Sequence, residues 1–358
     1  MRTGGMIRGG PAVAPESTPS IPMTPMFLVT GGTGLLGNNV IRTLVSRGER
    51  VRAMVRRPAE ADRCLGGLDV EIVPGDVRDA ASVAAAMGGV TVVIHSAGYV
   101  HIGWSALETH RAVNVGGTRN VGEAALRAGV RLVHVSSINA LGRGGRTFEA
   151  DEEHVEPDIT PCPYVVTKRE AEEVVLALVD RGLRASIVNP GFMLGPWDWK
   201  PSSGRMMLEV ASRFLPLAPS GSFSVCDARD VAVGTLSAAE RGLPGRRYIL
   251  GGTNLGYIDL WRRMAAVAGK PGPWRPLGPM QRFCLGRAGD LWYRISGQEP
   301  DLNSAATEMS TLHHRFSSRR AMEELGYATR PLDVTLHDAW EWFRQHGYIT
   351  DPRPARSA

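Results

Sequence analysis

Short apolar runs alternate with segments of helical periodicity over the first two thirds of the chain. Six runs predict strands, at Met26–Thr30, Arg50–Val55, Val70–Val73, Val92–Ile94, Leu132–Val135 and Ala185–Val188. Four intervening segments predict helices, at Leu35–Ser46, Ala80–Ala86, Thr109–Ala128 and Tyr164–Asp180. Strands that alternate with helices are typical of βαβ units, whose right-handed crossovers build one parallel sheet. The pattern therefore predicts a Rossmann-type, doubly wound α/β fold.

The rhythm changes after Pro190, where Pro, Gly and Trp become frequent, as in "PGFMLGPWDWKPSSG". Such composition indicates loops over a cleft, and a last helix is predicted over Pro331–Gln345. We therefore predict a dinucleotide-binding core over 25–190 and a smaller, mixed substrate-binding lobe over 191–350, with strands that return to the core. The Gly- and Pro-rich residues 1–24 are predicted to be a disordered leader rather than a signal peptide, and 351–358 a disordered tail.

Composition narrows the class of partner. Among 358 residues, 41 Lys and Arg stand against 36 Asp and Glu, and the resulting charge of +5 is spread without a basic run. We therefore expect no nucleic-acid binding. No apolar run reaches the roughly 18 residues that a membrane span needs. The four cysteines are isolated, which favours a reducing, cytoplasmic compartment, and no metal site is predicted.

The stretch "FLVTGGTGLLGNNV" places three glycines between a strand and a helix. The first permits a tight turn, the second lets the backbone approach a pyrophosphate, and the third lets the helix pack closely on the strand. The helix N-terminus then offers unpaired N–H groups to phosphate. The alternative is a plain strand-to-helix turn. The predicted cofactor contacts in this loop are Thr30, Gly31, Thr33, Gly34, Leu35, Leu36 and Gly37.

The end of the second strand indicates which dinucleotide binds. An acidic residue there would select NAD, but the sequence "VRAMVRRP" offers Arg56 and Arg57 instead. Guanidinium groups suit a 2′-phosphate, so NADP(H) is favoured and NAD(H) is the alternative. Asp76, just past the third strand, is a candidate acceptor for the adenine amino group. Further cofactor contacts are predicted at Val77, Ala97 and Gly98.

A candidate catalytic group follows the fifth strand, which ends in Ser136 and Ser137. Tyr164 and Lys168 stand at i and i+4, which places both on one face of the next helix. A neighbouring ammonium group is expected to stabilise a phenolate and to lower the pKa of Tyr164 toward neutrality. A serine hydroxyl can hold a substrate carbonyl.

These motifs together resemble the extended short-chain dehydrogenases/reductases, within the NAD-dependent epimerase/dehydratase superfamily. The resemblance includes the glycine loop, Asp76, "NVGGT" with Asn114, and "DARDVA" at 227–232. It implies that Ser137 orients a carbonyl, Tyr164 donates a proton, and Lys168 tunes Tyr164 and holds the nicotinamide ribose. Ser137 is favoured over Ser136 because the spacing to Gly142 fits the family's pattern.

Within that family the chain is most similar to the dihydroflavonol-reductase-like carbonyl reductases, by its second strand and by Asn189-Pro190-Gly191. The resemblance implies that Pro190 lies against the carboxamide and that Asn114 braces adjacent strands. The helices Thr109–Ala128 and Tyr164–Asp180 resemble the pair that commonly forms a dimer interface in this family. The resemblance therefore implies a homodimer. The remaining cofactor contacts expected from the family are Asn114, Ser136, Pro190 and Phe192.

Aromatic and sulfur-containing residues near the expected cleft favour a bulky, flat, apolar substrate. The candidates are His101, Trp104, Met193, Trp197 and Trp199, each of which could instead be packing. The leading hypothesis is thus an NADPH-dependent reductase of a ketone or aldehyde on such a molecule. A nucleotide-sugar epimerase and a 3β-hydroxysteroid dehydrogenase-like enzyme, both using NAD, are alternatives. A non-catalytic NADP-binding regulatory protein is an alternative of another class.

Overall fold

The computed structural model describes residues 25–154 and 162–349. The predicted leader and tail lie outside the described residues. Among the described residues, no helix is both long and apolar enough to cross a bilayer.

The strands lie in one large sheet and two small ones. In chain order they are β1 (Met26–Thr30), β2 (Arg50–Val55), β3 (Glu71–Pro74), β4 (Val92–His95), β5 (Arg131–Val135), β6 (Ala185–Pro190), β7 (Phe192–Leu194), β8 (Leu217–Ala218), β9 (Ser222–Asp227), β10 (Arg247–Leu250), β11 (Thr253–Gly256) and β12 (Arg275–Pro276). The large sheet is wholly parallel, in the order β3-β2-β1-β4-β5-β6-β10. This is the order of a doubly wound sheet with one added edge strand, so the predicted Rossmann-type fold is confirmed.

Helices cover both faces of this sheet. In chain order they are α1 (Leu35–Ser46), α2 (Pro58–Leu65), α3 (Ala80–Ala86), α4 (Leu107–His110), α5 (Gly117–Ala128), α6 (Pro163–Asp180), α7 (Ser203–Ser212), α8 (Ala228–Arg241), α9 (Tyr257–Val267), α10 (Pro279–Ser296), α11 (Ser304–Met309), α12 (Arg319–Leu325) and α13 (Leu332–Gln345). One face packs against α1, α8 and α12, and the other against α3, α5 and α6. Leu28 and Val29 point to opposite faces and are both fully buried, which explains why the strands read as continuous apolar runs.

One predicted helix is divided. The segment expected as a single helix over Thr109–Ala128 comprises α4, a π-helical turn over Arg111–Gly116, and α5. The wider turn places Asn114 so that its amide reaches both the Tyr99 backbone and Thr167. π-helical turns within helices are frequent at functional sites, and this one borders the site described below.

The chain after β6 builds a second core and then returns to the sheet. The three-stranded sheet β7-β9-β11 packs with α7, α9 and α13 around Leu194, Met207, Leu260 and Leu336. Strand β10 and helices α8 and α12 rejoin the central sheet. Helices α10 and α11 pack against each other, and α11 also reaches the start of α6.

Candidate active site

The glycine loop between β1 and α1 brings backbone against backbone. Gly31 has a φ of +76°, and a Cβ there would lie 2.6 Å from the Ala97 nitrogen. A Cβ on Gly37 would run into the Gly31 carbonyl oxygen. Gly34 differs, because it is exposed and a Cβ there would meet nothing closer than 3.4 Å. The first-turn N–H groups of α1 therefore border an open cradle suited to phosphate.

Buried hydrogen bonds join the ends of the strands beside this loop. The Thr30 hydroxyl bonds to His95 Nδ1 at 2.8 Å and accepts from the Ala97 N–H at 3.3 Å. His95 Nε2 lies 3.1 Å from the Thr118 hydroxyl. Burial, reinforced by the charge of Lys168, lowers the pKa of His95 to about 3. The imidazole is therefore neutral and serves as a fixed link between β1, β4 and α5.

Ser137, Tyr164 and Lys168 lie together where β5 ends and α6 begins. The Ser137 hydroxyl lies close enough to the Tyr164 phenol to lower the pKa of that phenol. One helical turn after Tyr164, the Lys168 ammonium donates to the Val135 carbonyl oxygen at 3.0 Å. Each of the three residues is less than one-tenth exposed. The structure thus brings the predicted catalytic residues into one buried cluster.

The pKa values in this cluster differ from the expectation in one respect. Burial raises the pKa of the Tyr164 phenol, and the nearby Ser137 hydroxyl opposes that shift without reversing it. The lowering expected from Lys168 is not found in this arrangement, in which the ammonium is directed at the Val135 carbonyl. Burial also lowers the pKa of Lys168 to about 8, against the raising influence of Glu172.

The backbone just after β4 approaches this cluster closely. A Cβ on Gly98 would lie 3.4 Å from Asn114 Oδ1 and 3.5 Å from Lys168 Nζ. Asn114 itself exchanges hydrogen bonds with the Tyr99 backbone and donates to the Thr167 hydroxyl at 3.0 Å. Its amide is therefore engaged in bracing the Tyr99 segment against α6.

The predicted nucleotide-specificity residues follow strands β2 and β3. Arg56 and Arg57 are both exposed, and Arg57 pairs with Glu60 at 2.6 Å. The Asp76 carboxylate is bound by Arg78 at 2.6 Å, and this contact is the main reason that the pKa of Asp76 is lowered. Arg56 also contributes to that lowering, so its charge lies close to the end of β3. Val77 is buried against Gly117, on α5.

Two predicted substrate residues meet at a carboxylate that the sequence analysis missed. Glu299 accepts hydrogen bonds from His101 Nε2 at 3.0 Å, from the Trp104 N–H at 2.7 Å and from the Ser105 N–H at 3.0 Å, as well as from the Ser105 hydroxyl. Burial would raise the pKa of Glu299, but these hydrogen bonds outweigh it and hold that pKa below its usual value. Gly103 permits the contact, since a Cβ there would collide with the Glu299 carboxylate.

The Glu299 contact ties the loop after β4 to the chain that covers Tyr164. Ile102 and Met309 pack in the same apolar cluster as Tyr164, together with Ala305 of α11. The Trp104 indole donates to the Ser304 hydroxyl at 2.7 Å. Glu299 lies some 200 residues along the chain from its partners, so no local sequence pattern predicts this contact. The glycine in "HIGWS" is the one sequence feature that indicates a close backbone approach.

Other predicted contacts lie away from this cluster. Trp197 and Trp199 pack edge-on against Trp342, on α13, and the Arg42 guanidinium lies 3.5 Å above the Trp197 ring. The backbone at Trp197 is in the left-handed region, with a φ of +71°. These two indoles therefore pack α13 against the α1 side of the molecule instead of lining the Tyr164 cluster.

The residues at the end of β6 divide between the sheet and the second core. Pro190 is buried as the last residue of β6. Phe192 stacks on Phe223 at 4.4 Å, and Met193 packs against the apolar core beneath α1. Phe192 is thus engaged within the second core, and its predicted contact with the cofactor stays a prediction.

The residues present fit a nicotinamide dinucleotide. The backbone is tightly packed at Gly31 and Gly37 but open at Gly34, where a phosphate could lie. Gly98 has no side chain to fill the space beside the Lys168 ammonium. Ser136, at the end of β5, has a buried hydroxyl that finds no partner among the described residues. A phosphate cradle and an unpaired polar atom at the ends of adjacent strands are the features that such a cofactor needs.

Comparison with known proteins agrees with this geometry. Residues 27–251 match the model of the NAD dependent epimerase/dehydratase family. The chain is 35% identical to the "sterol demethylase protein B" of Methylococcus capsulatus, over 90% of this chain and 99% of the relative. It is 32% identical to a "putative dihydroflavonol 4-reductase" of Synechocystis, over 92% and 97%.

A solved structure extends the likeness to the fold. A nucleoside-diphosphate-sugar epimerase from Pseudomonas aeruginosa superposes with a TM-score of 0.75 at 30% identity, covering 91% of this chain and 99% of that one. The resemblance to the extended short-chain dehydrogenases/reductases, including the dihydroflavonol-reductase-like branch, is thereby confirmed. The chain belongs to the NAD-dependent epimerase/dehydratase family and is an NAD(P)-dependent oxidoreductase.

Proposed function

We propose that the protein is an NADPH-dependent reductase of a ketone or aldehyde carbonyl on a bulky, apolar small molecule. The observation that supports this most directly is the buried cluster of Ser137, Tyr164 and Lys168, with Lys168 one helical turn after Tyr164. Apolar side chains, Ile102 and Met309 among them, surround the phenol. The arrangement suits a polar carbonyl on an otherwise apolar molecule.

We propose a separate role for each residue of this cluster. The Ser137 hydroxyl holds the carbonyl oxygen beside the Tyr164 phenol. Tyr164 transfers its proton to that oxygen as negative charge develops there, and Lys168 stabilises the phenolate left behind. The cofactor, when bound, supplies the hydride to the carbonyl carbon. With a pKa of about 8, Lys168 is mostly protonated at neutral pH, so the reduction rate is expected to fall above pH 8.

The cofactor preference rests on Arg56. Arg56 is exposed at the end of β2, next to the glycine loop. No acidic residue stands there to accept a hydrogen bond from a ribose hydroxyl. A guanidinium group at this place favours the 2′-phosphate of NADPH.

The substrate class rests on the apolar lining and on two relatives. Their names refer to a sterol and a dihydroflavonol, both of which are multi-ring molecules. We propose that this chain reduces a carbonyl on a molecule of that kind.

The test is titration calorimetry with NADPH and NADH, followed by turnover of multi-ring ketones. NADPH should bind at least about 10-fold more tightly than NADH, and Arg56→Ala should remove most of that preference. Arg47→Ala, an exposed arginine paired with Glu240 elsewhere, is the matched control and should keep it. Equal affinity for the two cofactors would contradict the proposal.

The epimerase alternative has one observation in its favour, the likeness to the Pseudomonas aeruginosa epimerase. An epimerase returns the hydride to its own substrate and retains its cofactor. Tightly bound NAD in the purified protein, with interconversion of nucleotide sugars, would establish it.

A further inference from the structure

Helix α10 presents apolar side chains to solvent along its whole length. Met280, Leu291 and Ile295 are 73%, 57% and 74% exposed. Trp274, just before the helix, is 71% exposed. The other exposed apolar residues on the helix are Phe283, Leu285, Trp292 and Tyr293. At 1.5 Å per residue, the 18-residue helix spans about 27 Å, and exposed apolar side chains occur from its first turn to its last.

The buried side of α10 is made of small residues. Gly286 and Gly289 are its buried residues, and they allow close contact with the chain leading into α11. A Cβ on Gly286 would lie 2.6 Å from the Thr307 hydroxyl, and one on Gly289 would collide with the Leu302 carbonyl. In most surface helices of globular domains the apolar face packs inward, whereas in α10 the apolar face is exposed and the small residues pack inward. A partner outside the fold is needed to bury its apolar face.

The charges on α10 indicate what that partner is. Arg282, Arg287 and Arg294 stand among the apolar residues, and Asp290 is the only acidic residue of the helix. Asp290 is itself bonded to the Ser304 N–H and pairs with Arg287 at 3.4 Å. Arg282 and Arg294 form no ion pair within the described ranges. Exposed apolar and aromatic side chains interleaved with arginines are typical of helices that lie at the surface of an anionic bilayer.

A second copy of the chain fits this surface less well. A symmetric dimer places the same patch on both sides, so the arginines of the two helices would meet. The protein as a whole carries a charge of +5, which also favours an anionic partner. We propose that α10, with Trp274, is an interfacial helix that docks the protein onto an anionic membrane surface.

The position of α10 connects this surface to the active site. Its partner α11 contributes Ala305 and Met309 to the apolar cluster around Tyr164, and Ser304 accepts from the Trp104 indole. A docked α10 thus places the chain that covers Tyr164 next to the bilayer, where apolar molecules concentrate. Membrane docking is measured without cofactor or substrate, so its test is independent of the proposed reductase activity.

The experiment is flotation of the full chain with two kinds of vesicle, one of phosphatidylcholine and one that also contains phosphatidylglycerol. We expect at least about 10-fold tighter binding to the anionic vesicles, weakened by added salt. The double variant Trp292→Ser/Ile295→Ser should reduce binding about 10-fold or more, and so should Arg282→Glu/Arg294→Glu. The control Leu243→Ser/Met322→Ser changes two comparably exposed apolar residues elsewhere and should bind like the wild type.

Three results would overturn the proposal. They are absence of vesicle binding by folded wild-type protein, equal binding to neutral and anionic vesicles, and equal loss of binding in the control variant. Sedimentation without lipid identifies the other occupant. A concentration-dependent dimer that Trp292→Ser/Ile295→Ser dissociates would assign the surface to a second copy of the chain and would also overturn the proposal. Because the changed side chains are largely exposed, circular dichroism should show each variant folded.

Discussion

The glycine loop packs against Ala97, and the α10–α11 segment packs against Tyr164, yet different contacts hold them in place. At the loop, backbone meets backbone, and Gly31 and Gly37 leave no space for a Cβ. At the α10–α11 segment, the attachment to the loop after β4 depends on one carboxylate, Glu299, and on indole and hydroxyl groups around it. The cofactor side is therefore fixed by main-chain geometry, and the substrate side by a few side chains.

The difference has a physical consequence. Main-chain contacts resist change because any added atom collides with them. Side-chain contacts allow new substrates to be accommodated by single substitutions while the hydride-transfer geometry is preserved. The two regions should accordingly respond differently to mutation, and the largest effect is expected at the catalytic cluster itself.

Tyr164→Phe is expected to reduce kcat/KM for carbonyl reduction by about 10³-fold, because it removes the phenol that we propose as the proton donor. The affinity for NADPH should stay within about 3-fold of the wild type, since the phenyl ring keeps its packing. Steady-state kinetics and calorimetry measure the two quantities. Tyr257→Phe, a buried tyrosine packed on Phe223, is the control. Substantial activity in Tyr164→Phe would assign the proton to another group.

The glycine loop is tested by a pair of alanine variants. Gly37→Ala should lower the free energy of unfolding by about 2–3 kcal/mol, because its Cβ meets the Gly31 carbonyl. Gly34→Ala should cost less than about 1 kcal/mol, because its surroundings are open, yet it should weaken NADPH binding by narrowing the phosphate cradle. Urea denaturation and calorimetry measure the two effects. If both variants affect only stability, the loop is a turn and not a phosphate site.

Glu299→Gln tests the substrate side. Replacing the carboxylate weakens charge-assisted hydrogen bonds from the loop after β4, worth about 1.5–3 kcal/mol each in buried settings. We expect KM for the ketone to rise about 10-fold while kcat stays within about 3-fold, because the loop moves and the catalytic cluster does not. Asp301→Asn, a nearby exposed carboxylate, is the control and should leave both constants unchanged. A fall in kcat alone would place Glu299 in the chemistry instead.

These two regions also differ in how far the sequence predicts them. Glycine spacing, Tyr164 and Lys168 coincide with the ends of strands and helices, so local pattern is enough to bring them together. Trp197 and Trp199 were expected near the substrate, but their direction depends on a backbone turn at Trp197 and on contacts with α13, which local pattern does not reveal. Glu299 and the exposed face of α10 likewise depend on contacts between distant segments.

The smallest effect at neutral pH is expected from His95, inside the sheet that positions the cofactor side. The pKa of His95 is about 3 in the folded protein and 6.5 in the unfolded chain. Between pH 6.5 and 3, His95 is therefore protonated in the unfolded chain but neutral in the native state. This part of the stability is complete above pH 6.5 and is lost progressively as the pH falls toward 3, at about 1.4 kcal/mol per pH unit. His95→Gln should flatten the decline measured by urea denaturation at several pH values. His337→Gln, on the exposed face of α13, should not, and an equal change in both would mean that the acid sensitivity lies outside the sheet.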